Sequence, residues 1–286
     1  MQVKRKGDVL KKHCIQFAAF GIICVGALLA FYPFLSNFLY ENAQETVVMD
    51  YDDIVLRLEN SAVAGERYRA REYNDALKNG DVILTDPFDP EALRQKKNDE
   101  YNNLLNFRRD GVMGYVHIPS INQRLSIYHG TADEVLEKGV GHLPETSLPI
   151  GGAGTHTVLS AHSGSPGKKL FSDLELLKLG DLFYIHTLDE ILAYQVDQIN
   201  VVEPEDTRNL MIVPGQDYAT LVTCTPYGVN SHRLLVRGIR TDYKEMPLST
   251  EVKEGSQWMR QYTYVIFIGA GSILVMMILF RIIRKN

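Results

Sequence analysis

The sequence predicts a mainly β domain, a closed barrel or a sandwich, preceded by helices and held between two apolar ends. Three observations carry this. After Gly111 the apolar residues recur with period two, in short runs rich in Val, Ile, Tyr and Leu separated by turn residues. Residues 41–80 instead place Val47, Val48, Tyr51, Ile54, Val55 and Leu58 at three- and four-residue steps, the spacing of a helix face. Residues 15–40 and 262–280 contain no charged side chain at all.

The ends come first. Residues 1–14 carry Lys4, Arg5, Lys6, Lys11 and Lys12 against Asp8, and an apolar stretch follows over 15–39, with Pro33 as the expected kink. A cleaved signal peptide also begins with basic residues, but this stretch is too long and shows no small-x-small cleavage site, so a retained signal-anchor is expected. Residues 262–280 would span about 28 Å as a helix, enough to cross a bilayer. Trp258, Tyr262 and Tyr264 mark its outer edge, and Arg281, Arg284 and Lys285 follow it. Cations beyond both runs place both termini in the cytoplasm and residues 41–261 outside the cell. The expected organisation is a basic tail at 1–14, a span at 15–39, helices at 40–110, the β domain at 111–245, a linker at 246–261, a second span at 262–280 and a basic tail at 281–286.

The formal net charge is −5; the tails hold +4 and +3, which leaves −12 on the part between them. That excludes a nucleic-acid binder, which needs a basic footprint. The overall 45% hydrophobic and 23% charged content is too apolar for disorder and too charged for a polytopic membrane protein. Of three cysteines, Cys14 and Cys24 lie in or beside the first apolar run, so Cys224 is alone in the external part. No internal disulfide can form there, and no cysteine pair has zinc-type spacing.

Along the external part, the first helical stretch stops at Asn79-Gly80. Asp86-Pro87-Phe88-Asp89-Pro90 forbids regular structure, and a second helix is expected from about Pro90 to Phe107, with Leu93, Tyr101, Leu104 and Leu105 on its apolar face. Strands are expected near 112–118, 124–129, 155–161, 181–187, 191–202, 218–224 and 233–240, seven or eight in all, and short helical pieces at 132–138 and 170–178. The loop 144–154 is turn chemistry throughout.

The chemistry centres on Cys224. It ends the apolar run Ala219 to Cys224, a turn follows, and the chain returns as His232-Arg233-Leu-Leu-Val. If the two runs pair, Cys224 and Arg233 sit on neighbouring strands at the mouth of one hairpin. A guanidinium there favours negative charge on sulfur and can donate to an oxyanion. His162 ends another apolar strand and enters a Gly/Ser/Pro loop, which makes it the candidate proton partner. Spacing alone leaves equally open an inert core cysteine, a solvated arginine and a turn histidine.

Several motifs in order resemble the sortase family: Thr220-Leu-Val-Thr-Cys224 with Arg233 nine residues on, the His162 segment with Leu170-Phe-Ser-Asp-Leu174 behind it, Gly114-Tyr-Val-His-Ile-Pro119, Ile127-Tyr-His-Gly-Thr131 and Gly139-Val-Gly-His-Leu143. The resemblance covers residues 112–241. The long form from Thr223 to Gly238, the second apolar end and Asp86-Pro87-Phe88 look like class C, the pilus-assembling sortases. One departure stands out: His162-Ser-Gly-Ser-Pro166 replaces the family's His-Arg-Gly-Leu-Pro.

The resemblance implies a sortase-type barrel on a Gram-positive cell surface and transpeptidation without metal or organic cofactor. Cys224 would attack the Thr–Gly carbonyl of an LPxTG-like sorting signal, His162 would move the protons, Arg233 would hold substrate and oxyanion, and a pilin lysine amine would accept the acyl group. Asp86, Pro87 and Phe88 would form a lid, although by sequence alone that segment reads as a plain connector. Thr223 and the Leu210, Met211 and Ile212 of the 203–217 stretch are candidate substrate contacts, the latter three equally a packed surface loop. Competing readings are a sortase that uses lipid II or peptidoglycan as acceptor, another thiol hydrolase, and a non-catalytic membrane-held module with an inert Cys224.

Overall fold

The computed structural model describes residues 2–78, 80, 82–89, 99–165, 167–243 and scattered positions between 262 and 273; side chains are described at 17 and from 20 onward. Three helices lead in: α1 (Gln2–Arg57), α2 (Asn60–Lys78) and α3 (Asp99–Asn103). Eight strands follow: β1 (Val112–Ile118), β2 (Gln123–His129), β3 (Val140–His142), β4 (Thr155–Ser160), β5 (Leu182–Thr187), β6 (Glu190–Val202), β7 (Asp217–Thr225) and β8 (His232–Thr241), with a one-turn helix α4 (Asp133–Leu136) before β3. They close into a barrel in the order β1-β2-β3-β4-β7-β8-β6-β5. The barrel therefore resolves the choice between barrel and sandwich, and all seven expected strands form within one or two residues of their expected bounds.

The eighth strand, β3, is the one the sequence left unplaced. It has three residues, too few to show a period, and its centre is Gly141. A Cβ there would fall 2.4 Å from the Gly130 carbonyl oxygen, so the close approach of β2 and β3 requires glycine. Gly238 does the same inside the barrel, where a Cβ would meet the Phe183 ring at 2.6 Å.

The helical expectations need three corrections. The helical stretch expected to run to Asn79-Gly80 is interrupted at Leu58–Glu59, while the helix assignment of α1 continues through Pro33. The second helix is described only over Asp99–Asn103; residues 90–98 lie outside the described residues, and the helix does not reach Phe107. Leu105 takes a left-handed conformation (φ 57°), and its N–H turns to the buried carboxylate of Glu66 on α2. The expected piece at 170–178 is a 3-10 turn over Leu174–Leu176. The expected linker 246–261 and the end of the second apolar run lie outside the described residues.

Strand alternation sorts two apolar layers. Leu159 of β4, Ala219 and Leu221 of β7, and Leu234 and Val236 of β8 point into the barrel core with Phe183, Ile185, Leu192 and Tyr194. Val158, Val222 and Leu235 point outward, and a second cluster covers them: Leu84, Leu143 and Leu210, with Val82, Phe88 and Val202 packed at its edge. With apolar layers on both faces, β7 reads as a nearly continuous apolar run.

Helix α1 lies along the barrel wall. Tyr40 donates its hydroxyl to the Lys138 carbonyl (2.9 Å), and Gln44 bridges that carbonyl (2.7 Å) to the Ser126 N–H (2.9 Å). Tyr51 donates to the Met113 carbonyl and accepts the Leu188 N–H. Helix α2 is stapled by Asn74, which accepts the Leu148 N–H (2.7 Å) and donates to the Leu148 carbonyl (3.1 Å). Among the described residues, one helix is long and apolar enough to cross a membrane, the Phe20–Arg57 part of α1. Its apolar side chains Phe20, Leu28, Leu29, Phe31 and Leu35 are exposed on the protein's surface.

Both Asn74 hydrogen bonds are buried, so Asn74→Ala orphans two backbone groups of Leu148. It should lower stability by about 2–3 kcal/mol, read as a lower urea midpoint at unchanged slope.

Candidate active site

The β7–β8 hairpin sets the geometry. Its antiparallel register makes Cys224 and Arg233 direct cross-strand partners, with Thr225 opposite His232. By alternation both side chains leave the outer face of the barrel, in line with Val222 and Leu235. The sequence expectation of neighbouring strands is met, and the two residues are opposite each other.

An extended segment, residues 82–88, lies over this face. Val82 and Leu84 pack on the outer apolar cluster while Ile83 between them is exposed, a period of two. Thr207 donates its hydroxyl to the Leu84 carbonyl. At the end of the segment the Asp86 carboxylate takes a two-pronged hold on Arg233, from Nε at 2.8 Å and Nη2 at 2.6 Å. Arg233 Nη1 donates to the carbonyls of Asn230 and His232, both at 3.1 Å. The guanidinium is thus held on both sides. Both partners of the ion pair are shielded, at 11% and 12% exposure. The Asp89 N–H donates back to the Asp86 carbonyl and closes a turn around Pro87.

Phe88 sits between the two other candidate residues. The Arg233 guanidinium carbon is 5.1 Å from its ring centroid, a cation–π distance, and the His162 ring is 5.8 Å from it. His162 follows the end of β4, where the Ala161 N–H donates to the Val222 carbonyl; its own carbonyl accepts the Phe171 N–H. The structure therefore brings Cys224, His162, Arg233, Asp86, Pro87 and Phe88 to one end of the barrel.

Electrostatically the site is neutral where chemistry would start. Burial raises the Cys224 thiol pKa; the Arg233 charge opposes this and the Asp86 carboxylate adds to it. Burial lowers the His162 pKa, against the smaller opposing fields of Asp133 and Glu137. Under the 82–88 segment both shifts favour the uncharged forms, thiol and neutral imidazole.

The other candidate contacts divide. Thr223 is buried and donates its hydroxyl to the Ala161 carbonyl at 2.7 Å, so it braces β7 against the strand end that carries His162. Leu210 is buried in the outer cluster beside Leu84. The Met211 carbonyl accepts from His156 Nδ1 at 2.9 Å, and the other ring nitrogen pairs with the Thr220 hydroxyl at 2.7 Å. Leu210, Met211 and Ile212 line a cavity of about 380 Å³ together with Leu77, Val82 and Leu84. Sequence reasoning missed Val82 and Leu84, although the alternation Val82, Ile83, Leu84 just before Asp86 was the signal. Among the described residues, no cluster of His, Cys, Asp and Glu is arranged to hold a metal ion.

Comparison with known proteins now identifies the relationship. The sortase domain family matches residues 116–241. The crystal structure of sortase C-1 from Streptococcus pneumoniae shares 47% sequence identity, with a TM-score of 0.65 over 70% of this chain and 100% of that one. A pilus-related sortase C of Group B Streptococcus also shares 47%, with a TM-score of 0.62 over 68% of this chain and 97% of that one. Sortase A of Bacillus anthracis is 31% identical over 127 residues, 44% of this chain and 59% of that protein, so the chain spans under two thirds of that relative. The matched region runs from within β1 to the end of β8 and holds both strands of the Cys224 hairpin, and the chain belongs to the sortase family of cysteine transpeptidases.

Proposed function

We propose that this chain is a class C sortase that polymerises pilins. The observation that carries the reading is the cross-strand pair of Cys224 and Arg233, with His162 at the same barrel end and a segment of the chain itself lying across all three. Cys224 passes its thiol proton to His162 and attacks the Thr carbonyl carbon of an LPxTG-like signal. The oxyanion that forms faces Arg233, whose loss would cost on the order of 10²–10³ in kcat. The Thr–Gly C–N bond breaks, His162 gives a proton to the leaving glycine amine, and a thioester remains. A pilin lysine amine then attacks the thioester, His162 takes its proton, and an isopeptide bond replaces the C–S bond. The same residues provide each proton and charge, and no cofactor enters the balance. Thr223 acts as a positioning residue through Ala161.

Residues 82–88 act as the lid. While Asp86 holds the fork of Arg233, the guanidinium cannot receive an oxyanion, and Leu84 and Phe88 occupy apolar surface that an extended substrate needs. Leu210, Met211 and Ile212 form the wall beside it. The N-terminal apolar helix anchors the chain in the membrane and 262–280 forms a second span, with both termini cytoplasmic. Anchoring enzyme and pilin in one plane raises their effective concentration.

Incubation with an LPxTG peptide should yield an acyl adduct on Cys224 by intact mass, absent in Cys224→Ala and larger in Asp86→Ala. Adding a pilin with its lysine should convert the adduct to an isopeptide-linked product. Transfer to a peptidoglycan-type amine but to no pilin would instead support the anchoring reading, and no adduct in any variant would exclude catalysis at Cys224.

Asp86→Asn separates the lid's electrostatic part from its packing. Asp86 raises the thiol pKa and Arg233 lowers it, so removing the carboxylate leaves Arg233 free to favour the thiolate. The pH curve of Cys224 alkylation by iodoacetamide should shift to lower pH, with a faster rate at neutral pH. An unshifted curve would show that Asp86 does not set the thiol.

A further inference from the structure

We infer that the Cys224 end of the barrel rests on the bilayer surface, with loops 163–169 and 226–231 in the lipid headgroup layer. This rests on the reading of the apolar part of α1 as a membrane span, and adds to it how the barrel stands on that span.

The orientation follows from which barrel residues meet α1 at each height. At its apolar end the helix meets the loop behind His162: a Cβ at Gly167 would fall 2.5 Å from Ser36 Oγ, and Asn37 accepts the Lys169 N–H at 2.8 Å. Further along, Tyr40 and Gln44 reach Lys138, and Tyr51 reaches Met113 and Leu188. Met113 is the second residue of β1 and Leu188 follows β5, at the barrel end opposite Cys224 by strand direction. From Ser36 to Tyr51 the helix rises about 22 Å. The barrel axis thus runs along α1, and the candidate site lies at the end nearer the membrane.

The height of the boundary is fixed by the sequence. The helix has no charge from 15 to 40, and its first charge after that is Glu41. Leu35, Phe38 and Leu39 are still more than half exposed. Ser36 and Asn37 therefore lie where hydrocarbon gives way to headgroups, and the loop packed on them lies at that depth. The β7–β8 loop shares it: Gly164 would place a Cβ 3.4 Å from the Tyr227 ring, so the two loops touch. Independently, Tyr262, at the start of the second apolar run, packs edge-on to Phe34 at 5.8 Å, so the second run starts beside the part of α1 that meets these loops.

The loops suit that setting. Residues 162–170 and 225–233 include no Asp or Glu in a region that is otherwise strongly acidic; of their cations Lys169 is paired with Asp173 and Arg233 with Asp86, which leaves Lys168 at the surface. Carboxylates stand nearby, with Glu203 on His232 and Asp133 and Glu137 acting on His162, but on other segments. Val229, at the tip of the hairpin loop, is 69% exposed. A hydrophobic tip among uncharged and cationic neighbours fits an interfacial lipid contact.

The test uses the full chain in nanodiscs of phosphatidylcholine and phosphatidylglycerol. Trp258 is the single tryptophan, so Trp258→Phe gives a clean background. Val229→Trp, Phe31→Trp and Met49→Trp are each added, and quenching by a lipid with a nitroxide near its headgroup is read. Strong quenching of the Val229→Trp and Phe31→Trp proteins, with Met49→Trp unaffected, is expected. Quenching of Phe31→Trp while Val229→Trp behaves like Met49→Trp overturns the orientation and leaves the span. No quenching of Phe31→Trp overturns the span and the orientation with it. As a second measurement, Val229→Glu should slow cleavage of a membrane-embedded sorting-signal protein several-fold and leave cleavage of a free peptide unchanged; equal effects on both substrates overturn the inference.

Discussion

Everything at the candidate site depends on one strand register. Cys224 and Arg233 face each other because β7 and β8 pair as they do. A slip of one residue would turn one of them into the barrel core and bring Thr223 or Leu234 out in its place. The register is held from both sides. Inside, Leu221 and Val236 belong to the main core; outside, Val222 and Leu235 belong to the second apolar cluster. A strand buried on both faces has no indifferent register, so the position of the sulfur is enforced by packing rather than by polar contacts of its own.

The outer cluster has a second consequence. Part of it comes from the barrel and part from residues 82–88, so the segment is held by apolar burial along its length and by the Asp86–Arg233 pair at its end. These two anchors differ in kind. Burial of Val82 and Leu84 is non-directional and tolerates sliding, whereas the carboxylate–guanidinium fork fixes one geometry. The pair is also costly to break from one side, because an unpartnered charge would remain in a shielded site. Displacement is therefore best matched by a ligand that supplies both an extended apolar strip and an oxygen for the arginine, which a peptide carbonyl does.

How much of this the sequence disclosed depended on length and periodicity. Seven strands were legible because each has six or more residues of alternating or apolar character. The β3 strand was not, since three residues cannot show a period and the reason for Gly141 is a neighbour in space. The site was legible through Cys224, His162 and Arg233, because few residue types do such chemistry and their order matched a family. Thr223, a candidate substrate contact by sequence, is buried with its hydroxyl on the Ala161 carbonyl, a partner distant in sequence. Leu84 was overlooked because Asp-Pro-Phe-Asp-Pro drew attention to punctuation rather than to the alternation before it.

Helix α1 is continuous from Gln2 to Arg57, about 84 Å at the usual rise, and it is joined to the barrel at several heights. The helix assignment is unbroken where it leaves the apolar stretch, so under the proposed anchoring a tilt of that stretch would carry over to the domain. A helix whose apolar length exceeds the local hydrocarbon thickness tilts to match it. Under the proposed anchoring, bilayer thickness would become a mechanical input to this protein, setting the angle at which the mouth beside Cys224 meets the membrane plane.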